Sequence, residues 1–466
     1  MWTPLALTLL TAVQGAATPQ RNVLLVVADD LGTDKLAAYE PLSTPPPTPT
    51  IDALAAQGVR FTNAWSCPLC SPTRASLMTG RLPSDHGVGA ALPLGPGLPL
   101  AEVTIPEALA RALPPAATPY ATGAFGKWHL SEQGDGGQHA PNLQGFEHFA
   151  GSLPGAFVAP QDYEHWIRVE NGQPGLSTAY ATSVNVDDAL EFIGAQDGPW
   201  FCYLAFNAPH TPFHAPPAEL HSQSLPPVEP ASQPVPFYDA MVEALDKELG
   251  RLLAGLPPAV AANTTVILIG DNGSTGAVVL PPYEPSKAKG TLYQGGVRVP
   301  LIVSGAGIVA PGRAHPGLVQ ASDLFATVLE LCGADLAGIA AELPPLDTVS
   351  LVPYLQAPLL PSLRSIVRTE LRITGTDFGP MPAQAPSGGL LAGQTGGLIA
   401  GAQLMLGSAA RNQTFKLIRP ESGPEQLYNL LLDPREQLDL LKLPSLSPQA
   451  RLAYRQLSAA LDQLED

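Results

Sequence analysis

Two stretches of this chain are unbroken apolar runs rich in β-branched residues that stop at acidic clusters, and they constrain the fold more than any other feature. Residues 22–28 read NVLLVVA and end in Asp29-Asp30; residues 264–270 read TTVILIG and end in Asp271-Asn272-Gly273. A strand with one face in water alternates apolar and polar residues, whereas a run without a polar break suits a strand covered on both faces, the habit of parallel sheets flanked by helices. PWFCYLAF (199–206) and VPLIVSG (299–305) have the same character, and helical patterns lie between the runs, notably over 238–256 and 321–332. The expectation is an α/β fold with a large, mostly parallel central sheet flanked by helices. Such sheets bind ligands in the crevice outside the strands' carboxyl ends, so both acidic clusters should face that crevice.

With 466 residues, 45% hydrophobic and 14% charged, the chain has ample material for a deep core, while 52 prolines and 44 glycines imply long irregular connections. Proline-rich segments at 41–49 and 216–236 read as surface excursions, because buried patterns resume after each. The character changes after about Pro353: SIVRTEL (365–371) and TFKLIRP (414–420) are short alternating strands, separated by a Gly- and Pro-rich stretch over 379–397, and an amphipathic helix closes the chain over 448–464. The expected organisation is a main domain over 18–353 and a smaller C-terminal α+β subdomain over 354–466 with a short antiparallel sheet. Residues 1–17, MWTPLALTLLTAVQGAA, read as a cleaved export signal, and no later run is long and apolar enough to span a membrane.

A formal charge of −17, with no block of Lys or Arg, excludes a nucleic-acid backbone as partner. It would also repel an anionic substrate, so a site for an anion must gather positive charge locally. Four cysteines are too few for a disulfide scaffold. Two of them stand in WSCPLCSPTRASLMTGR, residues 65–81. Cys67 and Cys70 alone would fit a redox pair, a metal clip or two structural thiols, but neither Cys202 nor Cys332 supplies the second pair that structural zinc requires.

The residue order after Cys70 is more informative. Cys70-Ser71-Pro72-Thr73-Arg74, followed by a helical stretch ending in Thr79-Gly80-Arg81, resembles the signature of the formylglycine-dependent sulfatases, a branch of the alkaline-phosphatase superfamily. In that family the cysteine is oxidised by a maturation enzyme to formylglycine, whose hydrate is the nucleophile. Pro72 suits a helix's first turn, which places Cys70 at a helix N-terminus, and Arg74 can reach the same group one turn on. The resemblance continues through Gly126-Lys127-Trp128-His129-Leu130, through His210 in NAPHTPFH, and through Lys289 in KGTLYQGGVRVP, and it spans about residues 22–441. It implies catalytic roles for Cys70, Arg74, Lys127, His129, His210 and Lys289. It also implies an all-oxygen metal site from Asp29, Asp30, Asp271, Asn272 and the Cys70-derived oxygen, suited to Ca²⁺ and less well to Mg²⁺. The implied activity is hydrolysis of a sulfate ester by an exported, arylsulfatase-like enzyme.

Gln294 stands where the family usually has Glu, removing a charge expected near Lys289. Two other readings compete: a phosphonate monoester or phosphodiester hydrolase with the same nucleophile, and a non-enzymatic exported binding protein in which Cys70 stays a thiol. Substrate choice should rest on the stretches 84–99, 134–155 and 379–397, where no sugar- or steroid-specific pattern stands out.

Overall fold

The computed structural model describes residues 20–40, 44–373 and 404–464; the expected export signal and the 379–397 stretch lie outside them. Among the described residues fourteen strands form two sheets. In chain order the larger sheet takes β1 (Asn22–Ala28), β2 (Gly58–Trp65), β3 (Ala121–Lys127), β4 (His148–Ser152), β5 (Trp166–Glu170), β6 (Gln173–Ser177), β7 (Trp200–Ala205), β8 (Thr264–Gly270), β9 (Leu301–Gly305) and β10 (Arg313–Gln320). Across the sheet the order is β10-β2-β9-β8-β1-β7-β3-β4-β5-β6.

The central block β8-β1-β7-β3-β4 is parallel throughout, as the apolar runs require. Every residue of β1, β7 and β8 is buried. Successive side chains of β1 divide between the two faces: Val23, Leu25 and Val27 join a core with the helices Cys70–Thr79, Ile105–Ala112 and Asp323–Leu331, while Leu24, Val26 and Ala28 join another with Ala181–Gly194 and Pro234–Gly255. Each fully buried Val, Leu or Ile contributes roughly 1.5–3 kcal/mol of transfer free energy, so this block anchors the fold. VPLIVSG forms β9, which runs antiparallel to both β8 and β2. Residues 134–155, read from sequence as a loop, contain β4 on the edge of the parallel block.

The C-terminal residues form β11 (Val367–Leu371), β12 (Gly407–Arg411), β13 (Phe415–Pro420) and β14 (Gln426–Asn429), an antiparallel sheet in that order. The helix Pro448–Asp462 covers one face with Ala450, Ala453, Leu457 and Leu461, and its start is capped by Ser447 Oγ accepting from Ala450 N. The other face packs Ala409, Ile418 and Tyr428 against Trp65, Leu292 and Val297 of the main body. Among the described residues no helix is long and apolar enough to cross a membrane.

Candidate active site

Parallel pairing puts the carboxyl ends of β8, β1, β7 and β3 side by side on one edge of the sheet, and the chain leaves each at a residue singled out from the sequence. Ala28 is in register with Gly270, so Asp29 and Asp271 emerge as neighbours. His210 follows β7, and Lys127 and His129 end and follow β3. Cys70 starts the helix Cys70–Thr79, all ten residues of which are buried. The helix ends at Gly80, whose φ of +70° and contact with the Phe325 ring leave no room for a Cβ. The five strand connections therefore bring together all of Asp29, Asp30, Cys70, Arg74, Lys127, His129, His210, Asp271, Asn272 and Lys289.

Arg74, fully buried, gives Nε and Nη2 to Asp271 Oδ2 at 3.1 and 2.8 Å and Nη1 to the Lys127 carbonyl at 2.9 Å. Lys127 Nζ is paired with Asp29 Oδ2, and Lys289 Nζ with Asp30 Oδ1. Asn272 Nδ2 also donates to Asp30 Oδ1 at 2.8 Å, and His210 Nε2 lies 3.8 Å from Asp30 Oδ2. Burial opposes charge on Asp30, but the Lys289 charge, with the Lys289 and Asn272 hydrogen bonds, holds its carboxyl down at about 2. Burial and the neighbouring Asp271 push Asp29 up to about 8, against Lys127 and Arg74. Lys289 is itself held above its ordinary value: burial works against the charge, and Asp30 outweighs it.

Cys70 Sγ lies 3.3 Å from His129 Nδ1. His129 Nε2 faces the Leu92 carbonyl at 3.2 Å, an oxygen that can only accept, so Nε2 carries the proton and Nδ1 presents a lone pair to Cys70. Burial, with Lys127 and Arg74, holds His129 well below its ordinary pKa, and the ring is neutral. His210 is likewise held down by burial and Lys289, and its Nδ1 sits 2.9 Å from the Thr211 carbonyl, which fixes the other tautomer. Burial also raises the Cys70 thiol despite Lys127 and Lys289.

Two buried oxygens here, Asp29 Oδ1 and Asn272 Oδ1, have no hydrogen-bond partner. Ligand atoms of Asp29, Cys70 and Asp271 lie within 4.8 Å of one another, as do those of Asp29, Asp30 and His210. Orphaned carboxylate and amide oxygens buried beside further carboxylates are a poor arrangement for a dry core and a good one for a hard dication. Once Asp29 gives up its proton, three carboxylates (Asp29, Asp30, Asp271) face three basic side chains (Arg74, Lys127, Lys289), and the set is neutral by itself. A dication bound there would make the site net positive, as an anionic substrate requires.

Some expectations change. Gln294 does not bear on Lys289: its Oε1 accepts from Trp65 Nε1 at 2.9 Å and its N–H donates to Glu436 Oε2 at 2.6 Å. A single charge change in the motif suggested contact, but the turn between residues 289 and 294 points the two side chains to different neighbours. Cys67 pairs with nothing covalently, since Cys67, Cys70, Cys202 and Cys332 are all free thiols. Cys67 lies 4.0 Å from Ser76 Oγ, and burial with Glu370 raises its thiol to about 12. Sequence reasoning missed Tyr203, whose hydroxyl accepts from Arg74 Nη1 at 3.4 Å, and the Leu92 carbonyl. The phenol is hidden inside the apolar run of β7, and no side-chain pattern marks a backbone oxygen.

Comparison with known proteins agrees with this geometry. The profile of the family described as Sulfatase matches residues 21–334. Human arylsulfatase A is 33% identical over 383 residues, covering 73% of this chain and 70% of that protein. Human N-acetylgalactosamine-6-sulfatase is 33% identical over 354 residues, 68% of this chain and 63% of that protein, so this chain spans less than two thirds of its length. Among solved structures, Ps i-CgsB superimposes with a TM-score of 0.74 at 25% identity, covering 96% of this chain and 92% of that one. The PsFucS1 sulfatase from Pseudoalteromonas sp. superimposes at 0.69 and 22% identity, covering 96% and 91%, and speaks for the fold alone. The chain belongs to the sulfatase family, enzymes that hydrolyse sulfate esters, and has its alkaline-phosphatase-like fold.

Proposed function

We propose that this sulfatase cleaves a sulfate monoester with a formylglycine made from Cys70 and with Ca²⁺ held by Asp29, Asp30, Asp271, Asn272 and the Cys70-derived oxygen. The observation that carries the reading is the placement of Cys70 at the start of a buried helix, 3.3 Å from the unprotonated Nδ1 of His129 and within 4.8 Å of carboxylate oxygens of Asp29 and Asp271. As a thiol Cys70 is raised by burial and would be a weak nucleophile at neutral pH, which favours its conversion. The aldehyde hydrate supplies two hydroxyls on one carbon, one to attack sulfur and one whose deprotonation expels sulfate, while the dication supplies a Lewis acid that polarises oxygen.

The chain's own groups do the rest. Arg74, Lys127 and Lys289 gather the positive charge that the acidic surface lacks and offer it to the equatorial sulfate oxygens. His129 Nδ1 is the acceptor aimed at the Cys70-derived hydroxyl and takes its proton. Lys289, firmly charged, is the donor suited to the departing alcohol oxygen; His210, with its proton turned to Thr211, presents a bare Nε2 and serves at the same oxygen only once protonated. The Asp29, Asp30, Asp271 and Asn272 oxygens suit Ca²⁺ better than Mg²⁺, which demands a strict octahedron and retains its waters. The reading includes export, from residues 1–17, and a formylglycine-generating maturation enzyme that acts on Cys70-Ser71-Pro72-Thr73-Arg74.

Mass spectrometry of the Cys70 peptide, from protein made beside a competent maturation enzyme, tests the reading: formylglycine is expected, and an unmodified cysteine in active protein would overturn it. Turnover of an aryl sulfate should exceed that of the matching aryl phosphonate, and Cys70→Ala should abolish both.

A further inference from the structure

The hydroxyl of Ser71 has no part in the chemistry above, yet it joins the two backbone segments that grip the His129 imidazole. Ser71 is fully buried, next to Cys70 in the helix Cys70–Thr79. Its Oγ donates to the His129 carbonyl at 2.9 Å and accepts from the Leu92 N–H at 3.3 Å. Leu92 in turn receives His129 Nε2–H on its own carbonyl at 3.2 Å. The hydrogen bonds close a loop: Ser71 hydroxyl, His129 backbone, imidazole, Leu92 carbonyl, Leu92 N–H and back to the hydroxyl. His129 needs such restraint, because its φ of +54° is a left-handed conformation that strains a non-glycine residue. The neighbouring backbone must impose it.

We propose that Ser71 is a positioning residue for His129. It sets the separation between the His129 backbone and the Leu92 carbonyl, and through that carbonyl the aim of Nδ1 at the group on residue 70. This rests on the role given to His129 above. A Ser that only satisfied two buried backbone groups would affect stability; one that aims the imidazole affects turnover at unchanged substrate affinity.

The test uses the mature enzyme carrying Ser71→Ala, Ser71→Thr, His129→Ala or Ser71→Ala with His129→Ala, assayed on an aryl sulfate and normalised to formylglycine content by mass spectrometry. Ser71→Ala should lower kcat roughly ten- to a hundredfold with KM within about twofold, the range over which small misplacements of a reacting group act. Thr restores the hydroxyl and should recover most of the loss. On the His129→Ala background, Ser71→Ala should have no further effect on the residual rate. A kcat for Ser71→Ala within twofold of wild type, while His129→Ala is crippled, overturns the positioning role alone. An undiminished kcat for His129→Ala overturns the role of His129 and this inference with it. A crystal structure of the unconverted Ser71→Ala protein reads the same point without maturation: Nδ1 should leave hydrogen-bond reach of the residue 70 side chain, and an unmoved ring refutes the proposal.

Discussion

Replacing Arg74 by Met removes the one guanidinium in the site while keeping an unbranched side chain of similar reach. Arg74 is wholly buried, and the change deletes two bonds to Asp271 Oδ2, one to the Lys127 carbonyl and the contact with Tyr203. Asp271 is equally buried and would lose its main partner. Breaking a buried ion pair by removing one member destabilises by about 3–5 kcal/mol, which moves the unfolding equilibrium by roughly two to four orders of magnitude. The site would then hold three carboxylates against two cations, so a dication should bind the variant more tightly than the wild type. Urea unfolding in EDTA should show the full loss, and unfolding in excess CaCl₂ a smaller one, because ligand that binds only the folded state adds stability by mass action. A loss below about 1 kcal/mol in EDTA, or one indifferent to Ca²⁺, would refute both the charge count and the placement of the cation.

Burial pushes Lys416, set 2.6 Å from Glu436, down to about 8 from an ordinary 10.5. The unfolded chain therefore binds more protons between those values, so stability rises with pH across that window and is flat below about 8, where both states are protonated. Wild type should gain up to about 3 kcal/mol relative to Lys416→Met between pH 8 and 10.5 in denaturant titrations, and parallel curves would contradict it. Gly126→Ala should destabilise by about 3 kcal/mol or more in thermal melts, since φ is +87° and a Cβ would stand 2.0 Å from the Ala205 carbonyl; a melting curve superimposable on wild type would disprove the close approach. Gln294→Glu should leave kcat and KM on an aryl sulfate within about twofold, because the side chain meets Trp65 rather than Lys289, and a large change in KM would show otherwise.

The parallel block was legible because β1, β7 and β8 are buried on both faces and carry no polar interruption. The site residues were legible for a related reason: short motifs sit directly after those strands, and parallel pairing forces strand ends together. β2 and β10 were harder to read, since Arg60, Thr62 and Asn63 break the apolar run of GVRFTNAW and His315 and Pro316 break RAHPGLVQ. β9 looked like its parallel neighbours because burial shapes composition and strand direction does not. The clamp on His129 left no trace, for it runs through the Leu92 carbonyl and a serine to which the resemblance assigns no role.

The cover over Cys70 also has a timetable. The thiol is 1% exposed, and its apolar neighbours include Ala90, Ala91 and Leu94, made moments after it, and Leu371, made about 300 residues later. At a synthesis rate of roughly 5–20 residues per second, that interval is about 15–60 s. For that long a growing chain carries Cys70 without its final apolar cover, and any chemistry that needs this side chain in the open is easiest before residue 371 folds into place.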